Sequence, residues 1–589
     1  MLSVLKRTFS WKLYCFVVLA GVLVILPNAQ LMITEYIGNS LPAAIEHRQF
    51  DKLIALLAVQ AGIFALIQLC IALNKILETQ LSSQYKCLLE EKVHTKLSNV
   101  KITLLERSET HNQIMALSNT LQHLGFPLLK HLIQFAKSSL TIAVMLYVMR
   151  NVHWSVLAII VTVSFLHVFA IRKYFRKQME IYMQTSEPSR KAKYYAGLLI
   201  DRELVGEVRT FQLNSFILSK WKSLFFHIEK MQVRLTNKQD LLLGSLQMIS
   251  QALQFMMLLI LVLFTSFTVG TYLMVTQGLL QLQNMAHELV ESVNRLQETS
   301  VYLPSFFKVM ELEEEEQDER LLPFQGLKRE IKLENVSFRY PNAASYALKQ
   351  INIEIKAGEK VAIVGHNGSG KTTLVKCLLG IYDHYEGEIF LDGIPMRHYD
   401  KKSVRAHLSV LLQHFGKYPL SLRDNISLHD GEGGGHADRL LEAVRLSDAS
   451  GFADGLPNGI ETPLNPVFGD GVDLSGGQWQ KIGLARAYYK NSDIVILDEP
   501  TAAIDPLSED RLFEGMLAHL QNKTALILTH RLGICRQADK IIVMDGGEVV
   551  EMGSHDRLMS RGGYYKRMYE TQAKWYVHAK EGDLYPVPF

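Results

Sequence analysis

Leu474-Ser475-Gly476-Gly477-Gln478 runs directly into Trp479-Gln480-Lys481-Ile482-Gly483-Leu484-Ala485-Arg486-Ala487. A short serine and glycine turn thus opens a stretch whose pattern predicts a helix. The first N–H groups of a helix lack intrahelical partners, and the peptide dipoles add partial positive charge there. Such an N-terminus attracts phosphate. Upstream, Gly365-His366-Asn367-Gly368-Ser369-Gly370-Lys371-Thr372, followed by Thr373, matches the G-x-x-x-x-G-K-[ST] phosphate loop. Val361-Ala362-Ile363-Val364 before it reads as a buried strand, and Lys371–Leu379 after it as a helix, which is the context the motif requires. Its glycines let the backbone close around phosphate, Lys371 supplies positive charge, and Thr372 offers a hydroxyl to Mg²⁺.

Further downstream, Ile494-Val495-Ile496-Leu497-Asp498-Glu499 is a buried-strand run that ends in two carboxylates. Asp498 is suited to hold Mg²⁺ through water, and Glu499 to act as general base on an attacking water. Taken in this order, the motifs resemble those of the ATP-binding cassette (ABC) family, whose ATPase domains work in pairs. The resemblance implies that ATP sits between the phosphate loop of one domain and the Leu474–Gln478 turn of another, so Ser475, Gly476, Gly477 and Gln478 are expected to bind nucleotide. It also implies roles for single residues. Gln413, after the apolar Leu408–Leu412, matches the glutamine that senses Mg²⁺. His530 matches the switch histidine near the γ-phosphate. Tyr340 matches the aromatic residue that stacks on adenine, and Asp505 the aspartate that couples two sites across a dimer.

At 589 residues the chain is too long for one core, and its apolar residues are unevenly placed. Candidate membrane spans run from Leu13 to about Ile33, Leu53–Leu73, about Phe126–Met149, about Val152–Ile171, about Leu241–Phe264 and about Thr265–Leu282. The loop Arg172–Asp240 holds 14 Lys/Arg against 7 Asp/Glu, and the N-terminus carries Lys6, Arg7 and Lys12. Basic segments stay in the cytoplasm, so six spans place both termini and the ATPase inside. In transporters that this chain resembles, such cytoplasmic loops dock short transverse helices on the ATPase, expected here near Lys101–Gln113 and Asp201–Phe216. Lys130, His131, Lys137 and His167, together with Gln247, Gln251, Gln254, Gln277, Gln281 and Gln283, line a wet cargo cavity, or else Lys130 and His131 sit in a cytoplasmic extension and the glutamines bond between helices. The run Glu311–Arg320 is a solvated charge block that marks a joint. The expected organisation is a six-span all-α transmembrane domain of exporter type (1–310), an acidic linker (311–325), an α/β ATPase domain (326–575) and a tail (576–589). A net charge of +3 singles out no nucleic-acid partner. The five cysteines show no metal or disulfide spacing. The glycine-rich Gly431–His436 reads as a solvated loop without ligand geometry.

A membrane domain joined ahead of an ATPase resembles the exporter half-transporters. The stretch Gln413–Ile426 and the run Asp473–Lys490 are similar to exporters of nisin-type lanthipeptides, with His414 where that group has aspartate. The resemblance implies ATP-driven export of a modified peptide, lanthipeptide or lasso-type, by a homodimer in the cytoplasmic membrane. Peptide-modifying enzymes are further candidate partners. An exporter of lipids or drugs is the alternative. The few residues ahead of the first span leave no room for an N-terminal cysteine peptidase, so leader removal is expected to fall to another protein.

Overall fold

A computed structural model describes residues 11–48, 50–121, 124–149, 154–202, 204–264, 268–315, 320–341, 343–428, 436–469, 471–504 and 506–577. The chain divides into two compact units, residues 1–100 with 104–314, and residues 101–103 with 315–589.

Six long helices build the first unit: α1 (Trp11–His47), α2 (Asp51–Asn99), α3 (Phe126–Val148), α4 (Trp154–Leu198), α5 (Asn214–Phe264) and α6 (Val269–Met310). Of the described residues, those of α1, α2 and α3 form helices long and apolar enough to cross a membrane by length and composition. The helices run well past the apolar windows that predict them, because charged flanks such as Lys75–Glu78 in α2 keep a helical pattern outside hydrocarbon. Near Lys101–Gln113 the chain forms two helices, Ile102–Leu105 and Ser108–Thr120, and within Asp201–Phe216 it forms Val205–Thr210.

Helices α1, α2, α3 and α6 pack together, while α5 packs on α4 and α4 on α6. The α1–α6 contact is backbone on backbone. A Cβ on Gly38 would lie 2.4 Å from the Gly270 Cα, and one on Gly270 would lie 2.0 Å from the Glu35 carbonyl oxygen. Small residues let apolar helices approach this closely when no hydrophobic force drives them together. Polar bonds add to it: Thr34 Oγ1 donates to Gln277 Oε1 (3.0 Å), and Gln60 Nε2 donates to Thr34 Oγ1 (3.1 Å). Gln277 therefore bonds between helices. Lys130 likewise pairs with Glu78 (2.8 Å), and Lys137 with Glu288 (3.4 Å). The side chains of His167, Gln247 and Gln254 lie outside the described residues.

In the second unit, β1 (Glu330–Phe338), β2 (Leu348–Lys356), β4 (Glu386–Leu391) and β5 (Ile394–Pro395) form an antiparallel sheet in the order β2-β1-β4-β5. A second sheet has the order β10-β9-β3-β8-β7-β6, with β3 (Lys360–Gly365), β6 (Leu408–Leu411), β7 (Ile494–Asp498), β8 (Thr524–Leu528), β9 (Lys540–Asp545) and β10 (Glu548–Gly553). It is parallel except at β9–β10. Strands β7 and β8 are buried along their whole length, as apolar runs without alternation require. One core fills the space around β1, β2, β3 and α7 (Lys371–Leu378); the other joins β7 and β8 to α8 (Ala437–Leu446), α9 (Gly476–Lys490) and α10 (Pro506–His519). The acidic run is not wholly solvated. Glu314 pairs with Lys96 (2.7 Å), and Arg405 grips both oxygens of Glu315 (2.7 and 2.9 Å), holding that carboxyl below its usual range. The glycine-rich loop at 431–435 lies outside the described residues.

Candidate ATPase site

The carboxyl ends of β3, β8 and β7 lie side by side, the place where open parallel sheets bind ligands. From β3 the chain turns through the glycine loop into α7. Gly370 adopts φ +101°, and a Cβ there would meet the Ala347 carbonyl oxygen at 2.6 Å. Only glycine allows that turn and the exposed backbone that follows from it. Lys371 is buried, and its ammonium donates to the carbonyl oxygens of Gly365 (2.8 Å) and His366 (3.0 Å). Burial lowers its pKa, opposed by the charges of Glu499 and Asp498. Thr372 Oγ1 donates to Asp498 Oδ2 at 3.1 Å, which brings the two expected Mg²⁺ residues together. Asp498 is buried, and desolvation raises its pKa despite that bond. A buried lysine, a carboxylate and a hydroxyl around an open glycine loop form a donor set that fits a magnesium-bound polyphosphate.

Glu499 follows β7 in a left-handed conformation, φ +52°. Two bonds hold it there: its N–H donates to Leu528 O (2.9 Å), and its carbonyl accepts from Gln480 Nε2 (2.7 Å). His530, just past β8, places Nδ1 3.3 Å from Glu499 Oε1. Tyr340 lies beyond the end of β1, where its hydroxyl meets Thr373 Oγ1 at 2.9 Å. Gln413 is exposed and shares a cavity of about 280 Å³ with Gly476, Asp498 and Glu499. Asp505 lies outside the described residues.

Ser475 caps α9 in a closed capping box: its Oγ accepts from Gln478 N (3.3 Å), while Gln478 Oε1 accepts from Ser475 N (2.9 Å). Among the described residues no hydrogen bond joins Ser475–Gln478 to the glycine loop. Gln480 is a residue that sequence reasoning missed. Its amide links Glu499 O to Ala503 N (2.7 Å each), so α9 carries the backbone of the candidate base. The available signal was a glutamine on the buried face that Gly483, Leu484 and Ala487 continue. Arg486 donates to Asn425 O, Asn425 Oδ1 and Gly416 O (2.6 Å each), tying α9 to the segment after Gln413. Burial pushes its pKa down to about 10.

Residues 348–502 match the ABC transporter family model. With a helical membrane unit and this ATPase on one chain, the assignment follows. The chain is an ABC exporter half-transporter. It is 28% identical to the subtilin transport ATP-binding protein SpaT of Bacillus subtilis, over 96% of this chain and 92% of that one. It is 26% identical to the nisin transport ATP-binding protein NisT of Lactococcus lactis subsp. lactis, over 97% and 96%. An ATP-dependent lipid A-core flippase of Alkalilimnicola ehrlichii is 38% identical, over 46% of this exporter chain and 45% of the flippase. Among solved structures, a bacterial Atm1-family ABC exporter with ATP bound shares the fold, with TM-score 0.78 and 23% identity over 95% of this chain and 98% of that one. The exporter is thus a membrane protein whose ATPase unit couples ATP hydrolysis to transport.

Proposed function

We propose that two copies of this chain form an exporter that drives a ribosomally made, modified peptide out of the cytoplasm, with both termini and the ATPase units on the cytoplasmic side. The observation that carries the cargo class is coverage. The two lanthipeptide transport proteins align along almost the whole chain, membrane unit included, whereas the Alkalilimnicola flippase aligns over less than half. Cargo meets the membrane unit, so likeness there bears on cargo more than likeness in the ATPase. A cavity of about 330 Å³ between α4, α5 and α6 is lined by Tyr174, Tyr182, Gln239, Glu291 and Asn294, among others. Such hydrogen-bonding walls suit a peptide's amides better than lipid chains.

In this reading the backbone N–H groups of the loop Gly365–Thr373 and the Lys371 ammonium bind the phosphates, and Tyr340 stacks on adenine. Thr372 and Asp498, with Gln413, would hold Mg²⁺, which would supply charge neutralisation on the phosphates. Glu499 takes the proton of the attacking water, and His530 fixes the Glu499 carboxylate from the side. Ser475, Gly476, Gly477 and Gln478 of the second copy close over the same nucleotide, and Asp505 couples the two sites. Closure of the ATPase pair then favours the outward-open membrane units, and hydrolysis resets them.

The test uses the purified full chain in lipid nanodiscs. Stimulation of ATPase by a lanthionine-containing precursor peptide, together with its Glu499-dependent uptake into inverted vesicles, is the expected result. Stimulation by lipid A or hydrophobic drugs without any response to peptide would overturn the cargo class.

A further inference from the structure

The helix α11 (Tyr564–Val577) closes one side of the groove in front of the glycine loop. It starts on a carboxylate: Glu551 accepts from Tyr564 N (2.7 Å) and Tyr565 N (2.9 Å), the charge sign that a helix N-terminus favours. Tyr565 is wholly buried, and its hydroxyl meets His555 Nδ1 at 2.8 Å. The Tyr564 ring packs edge-on against His366 of the glycine loop, with ring centroids 5.9 Å apart. Two turns further on, Gln572 reaches the segment after β8. Its Nε2 donates to His530 O (2.9 Å), and its Oε1 accepts from Leu532 N (2.7 Å).

We propose that Gln572 is a positioning residue for His530, so that α11 braces the histidine against Glu499. The segment Thr529–Leu532 has no strand or helix to fix it. Thr529 holds it on the sheet side, its N–H donating to Ile363 O (3.1 Å) and its Oγ1 accepting from Arg531 N (2.9 Å), and the Arg531 side chain pairs with Glu509 (2.6 Å). On the other side a single side-chain amide satisfies one acceptor and one donor that flank Arg531. That pairing uses both ends of the amide, so glutamate cannot replace it: a carboxylate accepts from Leu532 N but faces the His530 carbonyl with a second oxygen. The imidazole is half exposed, and among the described residues Glu499 is the one side chain that pairs with it, so its 3.3 Å approach depends on the backbone being held. The inference rests on the role given to His530 above.

The experiment measures ATPase kinetics of the full chain in nanodiscs for Gln572→Ala, Gln572→Glu, His530→Ala and the double variant His530→Ala/Gln572→Ala. Lys566→Ala, at a half-exposed position of the same helix paired with Glu570 (3.7 Å), serves as control. Both Gln572 variants are expected to lose about tenfold or more in kcat with KM for ATP within about twofold, because a displaced general-acid/base partner costs rate rather than binding. In the double variant the loss should equal that of His530→Ala alone, since a residue acting through another is non-additive with it. Lys566→Ala should match the unaltered chain. If His530→Ala cuts kcat and the Gln572 variants do not, or if the two losses multiply, the bracing role is wrong while the site reading stands. If His530→Ala itself leaves kcat unchanged, the role of the histidine falls first.

Discussion

Glu499 occupies a backbone region that costs a non-glycine residue about 1–3 kcal/mol, and two hydrogen bonds from different strands and helices hold it there. The conformation turns the carboxylate out of β7 toward His530, where the proposed reaction needs an acceptor for a water proton. Glu499→Gln keeps the shape and removes the proposed base, so steady-state ATP hydrolysis should fall by about 10²-fold or more with ATP binding retained. A nucleotide-binding assay beside the rate measurement separates the two effects. A second residue governs acid stability. Burial and the nearby Lys523 charge push the His519 pKa down to about 4, and Lys523 Nζ lies 2.8 Å from its Nε2. The unfolded chain, with an ordinary histidine near 6.5, then binds more protons than the folded one between those values. Stability is therefore full above about pH 6.5 and is lost as pH falls toward 4. His519→Gln should flatten that loss by about 1–2 kcal/mol, after allowance for solvent screening, in denaturation curves at pH 7 and pH 5.

At the scale of elements, the readable parts were those whose chemistry is local. The glycine loop, the capping box at Ser475 and Gln478, and the apolar runs of β7 and β8 each declare themselves within a few residues. Gln480, Arg486 and Gln572 did not, because their partners lie 19 to 70 residues away and only the folded sheet brings them together. Helix ends were not legible for a related reason: hydropathy marks where a helix meets lipid, whereas helical hydrogen bonding continues past it. The α8–α10 contact gives a further check. A Cβ on Gly515 would sit 2.1 Å from the Leu446 carbonyl oxygen, so Gly515→Ala must push the end of α8 away from α10. Thermal unfolding of the variant should show a loss of about 1–3 kcal/mol, the usual result of overpacking. Arg486→Ala should cost about as much again, since it leaves buried Asn425 without a donor for its carbonyl groups.

For the whole molecule, the proposed site is shared between copies, and that sharing has a genetic signature. Chains carrying Lys371→Ala and chains carrying Gly477→Asp are each expected to be inactive alone. Mixed in one membrane, half of the dimers should pair a sound glycine loop with a sound Ser475–Gln478 turn at one of two sites. Partial ATPase should return in the mixture and in no single-variant preparation; a site complete within one copy would give no such rescue. The contact of Gly38 with Gly270 bears on how the membrane unit can move. Two backbones this close, pinned by the bond from Gly270 N to Asn39 Oδ1 (3.2 Å), resist sliding past one another, so α1 and α6 are expected to move together as one plank. Whatever stroke carries cargo outward must shear elsewhere, along the looser seam where the α4–α5 hairpin meets α6.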